Sequence, residues 1–374
     1  MVDNARQVEI HNVYVKAALE SFDSALTQPG HGERLRALRY AAQAVRERLL
    51  DEPCVQAVRT LPLARLPYPA RFAFQGAAWS PAPLVQMTHR CLLIQFRSGG
   101  TLRTLLFNPS DVIANRATPF FADFIRAVGP LEALLAPPER PLEAQLADLG
   151  LTAEDIDYVA FDHFHTQDLR SLCGTVDGTF KPRFPRAVLL APRSEWLDWD
   201  ALHPMQLAWY VRDGKRGLLE ERIQFLDGSL HLGDGVMLLS TPGHTSGNQT
   251  LLVRTRDGIW GCSENGTSAD NWSPSSSRMP GVARFARKYQ LEVLINSNTP
   301  ELGAAQYTSM IAERTIVDAV AEAPEFVRMF PSSEVTPGLW APGASPTWLH
   351  RAVTDGALAM PPRAAVEVPR ARIA

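Results

Sequence analysis

The sequence predicts an α+β fold in which mixed β-sheets are flanked by helices. Short apolar runs bounded by turn residues recur between residues 85 and 295 and are typical of β-strands. Residues 33–50 repeat apolar side chains at helical spacing. Residues 299–322 are predicted to form a helix, because a proline lies in the first turn and another proline follows the end. Strands therefore fill the middle of the chain and helices lie on either side, which is an α+β layout.

The first predicted elements are the helix at residues 33–50, an extended connector and a β-hairpin. Residues 62–83 are rich in proline, which predicts the extended connector. Residues 85–96 and 102–107 are apolar runs separated by a Ser-Gly-Gly turn, which predicts two strands joined as a hairpin.

The later predicted elements are short. Prolines interrupt residues 131–149, so this segment is predicted to be helical only in part, and residues 152–155 have the pattern of a helix start. An Asp-Gly pair at residues 257–258 predicts a second hairpin. The predicted strands are residues 158–161, 186–191, 223–226, 236–239, 249–254, 259–262 and 292–295, and a short helix is predicted at residues 194–199.

Length and composition suit one large domain, or one domain with an appended segment. The chain has 374 residues, of which 45% are hydrophobic, and its formal net charge of −3 gives no reason to expect a nucleic-acid partner. No apolar run is long enough to span a bilayer, and residues 1–9 lack the pattern of a secretory signal. The four cysteines lie far apart. We therefore predict a cytoplasmic protein with reduced thiols that binds a small-molecule substrate, neither nucleic acid nor membrane, and can form a homodimer.

Two histidine-bearing turns carry the chemistry that the sequence predicts. Residues 162–168 read Asp-His-Phe-His-Thr-Gln-Asp, and residues 241–247 read Thr-Pro-Gly-His-Thr-Ser-Gly; each follows a predicted strand. The rings of His163 and His165, one residue apart on an extended segment, can point the same way. His244, on a tight turn, can complete a face of three nitrogens. Three imidazoles with an open position are a common way to hold a catalytic zinc ion.

These two motifs, in this order and followed by a hairpin, resemble the metallo-β-lactamase fold superfamily, with the lactonase and glyoxalase II type as the nearest form. The resemblance covers roughly residues 85–322. It implies an αβ/βα sandwich of two mixed β-sheets flanked by helices, with the metals at one edge of the sheets. We accordingly predict a metallo-β-lactamase-like domain at residues 81–325, an N-terminal helical and extended segment at residues 1–80, and an irregular C-terminal tail at residues 326–374.

The chain departs from the family pattern at the second metal position. The family's first motif, H-x-H-x-D-H, has Gln167 and Asp168 in its last two places. Glu264 stands where the resemblance implies a bridging aspartate, and Asn296-Ser297-Asn298 stands where a final histidine is implied. Zinc is the expected ion at the three-histidine site, with manganese or iron as alternatives because carboxylates favour harder ions. A second metal, completed by Asn298 or by His350, remains open.

Asp168 and Glu264 are the predicted metal-ligating and catalytic carboxylates beside His163, His165 and His244. The alternative for Asp168 is a helix N-cap, and the alternative for Glu264 is a surface turn. Asp162 is a candidate for orienting a ligand. Asn265 and Asn298 are weaker candidates for binding substrate oxygen or a metal. His203, Trp209, Tyr210 and Trp272 are candidates for bordering the pocket, although such residues more often serve structure and packing. Cys262 is expected to face the core.

The predicted function is that of a metal-dependent hydrolase. A metal ion lowers the pKa of its bound water from about 15.7 toward roughly 7, so that a hydroxide can attack an ester, lactone, thioester or amide carbonyl. Asp168 or Glu264 would move the proton. Two alternatives remain open at this point: a dinuclear iron or manganese oxidoreductase on the same fold, and a catalytically degenerate binding scaffold.

Overall fold

The computed structural model describes residues 13–137, 139–338 and 341–360. Its helices are α1 (Val13–Leu26), α2 (His31–Asp51), α3 (Ala70–Ala73), α4 (Pro119–Val128), α5 (Glu132–Leu135), α6 (Leu142–Asp148), α7 (Arg170–Cys173), α8 (Arg193–Asp198), α9 (Ala269–Trp272), α10 (Val282–Tyr289) and α11 (Gly303–Ile316). Its strands are β1 (Ala57–Pro69), β2 (Leu84–Ser98), β3 (Thr101–Phe107), β4 (Tyr158–Ala160), β5 (Val188–Pro192), β6 (Ile223–Leu226), β7 (Leu230–Gly233), β8 (Val236–Ser240), β9 (Gln249–Thr255), β10 (Gly258–Cys262), β11 (Ala319–Val320), β12 (Ala323–Val327), β13 (Met329–Phe330), β14 (Ser333–Thr336) and β15 (Thr354–Gly356).

The strands form two mixed sheets. The larger sheet has the order β15-β1-β2-β3-β4-β5-β6, and β14 also pairs with β2. Its first strands pair antiparallel, whereas β3, β4, β5 and β6 pair parallel. The second sheet has the order β13-β10-β9-β8-β7 and is antiparallel except where β13 pairs with β10. The predicted α+β fold with two mixed sheets is confirmed.

The core consists of three apolar layers. One lies between the sheets, because it joins side chains of β2 and β3 to side chains of β8 and β9. A second packs the outer face of the larger sheet against α6, α7 and α10. A third packs the outer face of the second sheet against α1, α2 and α11. The order of layers is therefore helices, sheet, sheet, helices, as the resemblance implies.

Strand β2 shows how the sequence specifies this layering. Leu92 and Ile94 point between the sheets, whereas Cys91 and Leu93 point toward the outer helices. Side chains alternate along a strand, and here both faces are covered. A strand that is covered on both faces needs apolar side chains at successive positions, as in the run Cys-Leu-Leu-Ile, and not only at alternate ones.

The extended connector predicted at residues 62–83 is corrected by the structure. Strand β1 continues through most of its prolines, to Pro69, and pairs antiparallel with β2. The pairing shifts register between Pro62 and Ala64, so a bulge accommodates the proline within the strand. Long-range pairing thus overrides the local proline signal.

Three further expectations are corrected near the C-terminus. Residues 292–295 form no strand in the structure. The helix predicted to reach residue 322 ends at Ile316, because residues 319–327 turn back as the antiparallel pair β11–β12. The segment predicted to be irregular contains β13, β14 and β15, which pair with β10, β2 and β1. Such short strands carry little pattern of their own and depend on distant partners.

The helices that were not predicted include α1, α4 between β3 and β4, and α10. The predicted absence of a signal segment and the end of the predicted tail fall on residues 1–12 and 361–374, which lie outside the described residues. Within the described ranges, none of the helices is both long and apolar enough to cross a bilayer.

Candidate metal centre

The two histidine turns meet where the two sheets meet. His163 and His165 follow β4 of the larger sheet, and His244 follows β8 of the second sheet. Gln249, at the start of β9, joins these two strand ends: its backbone N–H donates to the carbonyl of Asp162 at 2.8 Å, and its side-chain amide donates to the carbonyl of Phe161 at 2.7 Å. The fold thereby brings together residues that are about eighty positions apart in sequence.

The three imidazoles form one compact cluster. One ligand atom from each of His163, His165 and His244 lies within 4.8 Å of the others. Nδ1 of His165 lies 3.0 Å from Nε2 of His244. The ring of His163 stands nearly perpendicular to the other two rings, at interplanar angles of 87°. The structure therefore assembles the three nitrogens that the sequence motifs predict.

A hydrogen bond holds the outward-facing nitrogen of each ring. The side chain of Asp162 accepts from Nδ1 of His163 at 2.8 Å, and Oε1 of Gln206 accepts from Nε2 of His165 at 2.6 Å. The amide nitrogen of Asn296 lies 3.3 Å from Nδ1 of His244. The two acceptor oxygens, from Asp162 and Gln206, leave the lone pairs of Nε2 of His163 and Nδ1 of His165 facing the cluster, as at metal-binding histidines. The amide nitrogen of Asn296 is a donor, so this contact does not fix the same tautomer in His244.

The protonation of the cluster suits metal binding. Burial, and then the neighbouring His163, hold the pKa values of His165 and His244 well below the usual histidine range. Burial alone would also lower the pKa of His163, but the carboxylate of Asp162 outweighs it and raises that pKa. Neutral imidazoles offer lone pairs, so His165 and His244 are ready to bind an ion, whereas His163 must give up its proton to do so. Three imidazoles converging at short range fit a zinc-like ion.

A fully buried glutamate that the sequence motifs did not indicate links both histidine turns. Oε1 of Glu195, in α8, accepts from the backbone N–H of Phe164 at 2.6 Å and from the hydroxyl of Tyr210 at 2.7 Å. Its Oε2 accepts from the hydroxyl of Thr245 at 2.8 Å. Burial raises the pKa of Glu195, although nearby His163 and these donors oppose that effect. Gly247 permits the contact, because a Cβ there would lie 2.5 Å from Cβ of Glu195.

A second buried network supports His244 from the side of α11. The backbone N–H of His244 donates to the side chain of Asn265 at 3.0 Å, and Asn265 donates in turn to Glu313 at 2.7 Å. Thr299 donates its hydroxyl to the carbonyl of His244 at 2.9 Å. Glu313 also accepts from Trp272, so the predicted pocket candidates Asn265 and Trp272 both lie in this network, behind the cluster.

The structure places Asp168 away from the three nitrogens. Both of its oxygens contact the guanidinium of Arg170, at 2.9 and 2.6 Å, and Oδ1 also accepts the backbone N–H of Arg170 at the start of α7. This geometry is close to the helix-start alternative that the sequence allowed. The turn between His165 and Asp168 passes through Thr166 at a φ of 63°, which redirects the chain.

Glu264 lies in the same cavity as the histidines, beside Asp162. The hydroxyl of Ser332 donates to both carboxylates, and the backbone N–H of Ser333 donates to Glu264 at 2.8 Å. Burial, and then the charge of Asp162, raise the pKa of Glu264 to about 8. Glu264 is therefore a buried carboxylate and not the surface-turn residue of the alternative interpretation, and a proton can reside on it near neutral pH.

The other sequence candidates separate into two groups. Asn298 and Trp209 line the cavity, and Oδ1 of Asn298 has no hydrogen-bond partner among the described residues. His350 lies elsewhere, in contact with Glu334 at 3.0 Å, and His203 is exposed. Tyr210 is buried with its hydroxyl hydrogen-bonded to Glu195, and Cys262 is buried in the apolar layer between the sheets.

The cavity above the histidines has a volume of about 430 Å³. The histidines, Asp162, Glu264 and Asn296 form its polar floor. Tyr68 also lines it, and its hydroxyl donates to Asn296 at 2.5 Å. Most of the remaining lining is apolar. It comes from β1, β2, the residues after β3 and helix α4: Leu66, Pro67, Met87, Val112, Ile113, Phe121, Phe124 and Ile125.

No protein-family model matches the chain. Among solved structures it is similar to a probable metal-dependent hydrolase from Staphylococcus aureus, with 15% identity over 70% of this chain and 83% of that one and a TM-score of 0.48. It is also similar to a quorum-quenching N-acyl homoserine lactone lactonase, with 18% identity over 64% and 87% and a TM-score of 0.41. A third is a hydrolase of the beta lactamase superfamily, the superfamily that the histidine motifs resemble, with 16% identity over 63% and 82% and a TM-score of 0.38. Because these similarities are low, function is argued from this chain's own residues.

Proposed function

We propose that this protein is a metal-dependent hydrolase that cleaves an ester, lactone, thioester or amide. The observation that carries the proposal is the convergence of three imidazole nitrogens, from His163, His165 and His244, on the floor of a mostly apolar cavity. Three-nitrogen sites with room for a substrate are typical of catalytic ions and not of closed structural ones.

One ion is proposed at this position, with zinc as the expected metal. Across the described parts of the chain, the three histidines are the one group of three or more His, Cys, Asp or Glu side chains close enough to hold an ion. Asp168 is engaged by Arg170, so the arrangement offers little support for a carboxylate-rich dinuclear redox site. A divalent ion there supplies Lewis acidity and lowers the pKa of a coordinated water toward roughly 7.

The chain's own residues would position the ion, exclude water and move a proton. Asp162 and Gln206 fix the tautomers of His163 and His165, so that the lone pairs face inward. The apolar cavity walls exclude water and strengthen charge interactions at the floor. Glu264 is the proposed residue that takes up and returns a proton, since its carboxylate lies in the cavity and its pKa of about 8 is near the operating range.

The test is elemental analysis followed by turnover. Protein purified without a metal-binding tag is expected to contain about one equivalent of metal, which His163→Ala should lose. The zinc-loaded protein is then assayed with simple esters, lactones, thioesters and amides, and Glu264→Gln is expected to lower kcat about 100-fold without loss of metal. Protein that binds no stoichiometric metal would overturn the metal assignment. Loaded protein that cleaves none of the four classes would overturn the hydrolase assignment.

A further inference from the structure

We propose that the cavity selects an uncharged substrate whose apolar part lies against the inner face of helix α4. This inference rests on the proposed hydrolytic function and adds the substrate class. It is drawn from three features of the cavity: an apolar helix face that is only half-buried, its continuity with the histidine floor, and the pairing of the charges that line it.

Helix α4 presents an apolar face that the protein itself buries only in part. Phe121, Phe124 and Ile125 lie at helical spacing i, i+3 and i+4, so their side chains share one side of the helix, and all three line the cavity. No residue of this helix is buried. Its main inward contact is made by Phe120, whose ring centroid lies 4.8 Å from that of Trp209.

The residues before α4 continue this face. Val112 and Ile113 also line the cavity, yet their side chains are 37% and 81% exposed. An apolar surface of this kind at the mouth of a cavity marks a binding site more often than packing. Leu66 and Met87 line the cavity as well, so a ligand in it would contact apolar residues of β1 and β2 in addition to α4.

The same cavity reaches the metal floor. His163, His244 and Glu264 line it together with the α4 residues. A substrate whose carbonyl group lies at the histidines can therefore extend its remaining part along the helix face. Burying that part removes apolar area from water on both molecules, which favours binding by about 0.8 kcal/mol for each buried methylene, or about threefold to fourfold.

The charges that line the cavity are already paired, which disfavours an anionic substrate. Arg65 and Arg116 are its two lining arginines. Arg65 pairs with Glu139 at 2.9 Å, and Arg116 pairs with Glu132 at 2.7 Å. A substrate carboxylate would have to share an arginine with one of these glutamates or lie against apolar side chains without a partner, and the second arrangement is costly.

Alkyl hydroxamates test the inference independently of turnover. The hydroxamate group chelates the ion, and the alkyl chain reports on the cavity wall. Titration calorimetry of zinc-loaded protein with the acetic to octanoic series is expected to show affinity rising about threefold per added methylene. The octanoic compound is expected to bind at least about tenfold more tightly than suberic acid monohydroxamate, which has the same length and a terminal carboxylate.

Two variants test whether the dependence of affinity on chain length comes from the α4 face of the cavity. Phe124→Ala is expected to lower affinity for octanohydroxamate about tenfold and to leave acetohydroxamate unchanged. Tyr289→Ala, which removes a half-exposed ring outside the cavity, should change neither. The kcat/KM values for 4-nitrophenyl acetate and octanoate should follow the same pattern.

The outcomes separate the two proposals. Affinity that does not depend on chain length, or equal binding of the carboxylate-ended compound, overturns the substrate class even if short esters are cleaved. Length-dependent binding without cleavage of any ester supports the cavity assignment and counts against the hydrolase. Failure of every hydroxamate to bind overturns both.

Discussion

Glu195 accepts a hydrogen bond from the hydroxyl of Thr245 at 2.8 Å, while its other oxygen accepts the backbone N–H of Phe164 at 2.6 Å. Phe164 separates the two histidines of the first turn, and Thr245 directly follows His244. A single buried carboxylate therefore fixes the distance between the two turns that supply the metal ligands. Glu195 also accepts a hydrogen bond from Tyr210, which lies in the same loop as Gln206, the partner of His165. The carboxylate therefore holds this loop against the two turns as well.

Glu195→Gln is expected to weaken metal binding while leaving the three histidines in place. An amide has no charge and offers one acceptor oxygen where the carboxylate offers two, so the bond to Thr245 must reverse its direction and the contacts that anchor the turns become weaker. Loss of such supporting contacts typically costs about 10-fold to 100-fold in metal affinity. Competition of the zinc-loaded protein with a chromophoric chelator measures this, and the absorption bands of the cobalt-substituted protein should shift as the site geometry changes.

Glu52→Gln is the matched control, because Glu52 is also a buried glutamate but contacts His231 on β7, which is not one of the clustered histidines. It is expected to keep full zinc affinity and an unchanged cobalt spectrum. Equal losses in both variants would show that Glu195 acts through general stability alone and would contradict its assignment as a clamp between the turns.

Gly247→Ala is expected to destabilise the protein and the metal site together. The added Cβ would lie 2.5 Å from Cβ of Glu195 and 2.9 Å from Cβ of Pro192, so α8 or the second histidine turn must move. Overpacking of this kind costs about 1–3 kcal/mol. Urea unfolding and zinc affinity are measured on the same samples.

Gly32→Ala serves as the comparison for that experiment, since a Cβ at residue 32 in α2 meets no atom within 4 Å. It is expected to raise the free energy of unfolding by about 0.4–1 kcal/mol through a less flexible unfolded chain, and to leave zinc affinity unchanged. A Gly247→Ala protein as stable as Gly32→Ala would contradict the tight approach of α8.

The sequence predicted the parts of the site that depend on local pattern. His163, His165 and His244 could be found because each lies in a short turn after an apolar strand, and strand ends from adjoining sheets come together at one edge. The main hairpins were found for the same reason. Turn residues between two apolar runs form a signal contained within about twenty residues.

The parts that could not be predicted depend on contacts between distant segments. Glu195 reads locally as an acidic residue in the first turn of a short helix, the usual place for an exposed glutamate. Its partners are 31 and 50 residues away. Asn265 and Gln206 likewise contact histidines across 21 and 41 residues. Strands β13, β14 and β15 are too short to carry a periodic pattern and are specified by the strands they join.

Substitution of Asp168 tests whether its carboxylate stays paired with Arg170 or binds a metal ion. The expected result is that Asp168→Asn keeps about one equivalent of zinc while His165→Gln loses it, because Arg170 already holds both oxygens of Asp168. Elemental analysis after removal of excess zinc is the measurement. Arg170→Gln should also retain one equivalent. A drop of one metal equivalent in Asp168→Asn would instead mean that Asp168 leaves Arg170 to bind an ion.

His89 is expected to make stability fall as the pH is lowered through the range from about 6.5 to 4. Its ring lies between the hydroxyls of Ser333 and Ser110, at 3.0 and 2.9 Å. Burial lowers its pKa from 6.5 to about 4, with the charge of Asp162 opposing the shift and those of His163 and Arg90 adding to it. The folded protein thus keeps this ring neutral over a range in which the unfolded chain takes up a proton.

Because the unfolded state binds more protons in that range, the free energy of unfolding must decrease as the pH falls, by about 2 kcal/mol between pH 7.5 and pH 5 from this one group. His89→Gln can still contact both serines but does not titrate. Urea unfolding of metal-free protein at the two pH values should therefore show a fall in stability for the wild type that exceeds the fall for His89→Gln by about that amount. Equal falls in the two proteins would mean that His89 accepts its proton in the folded state as readily as in the unfolded one, in conflict with its position between the serines in the cavity wall.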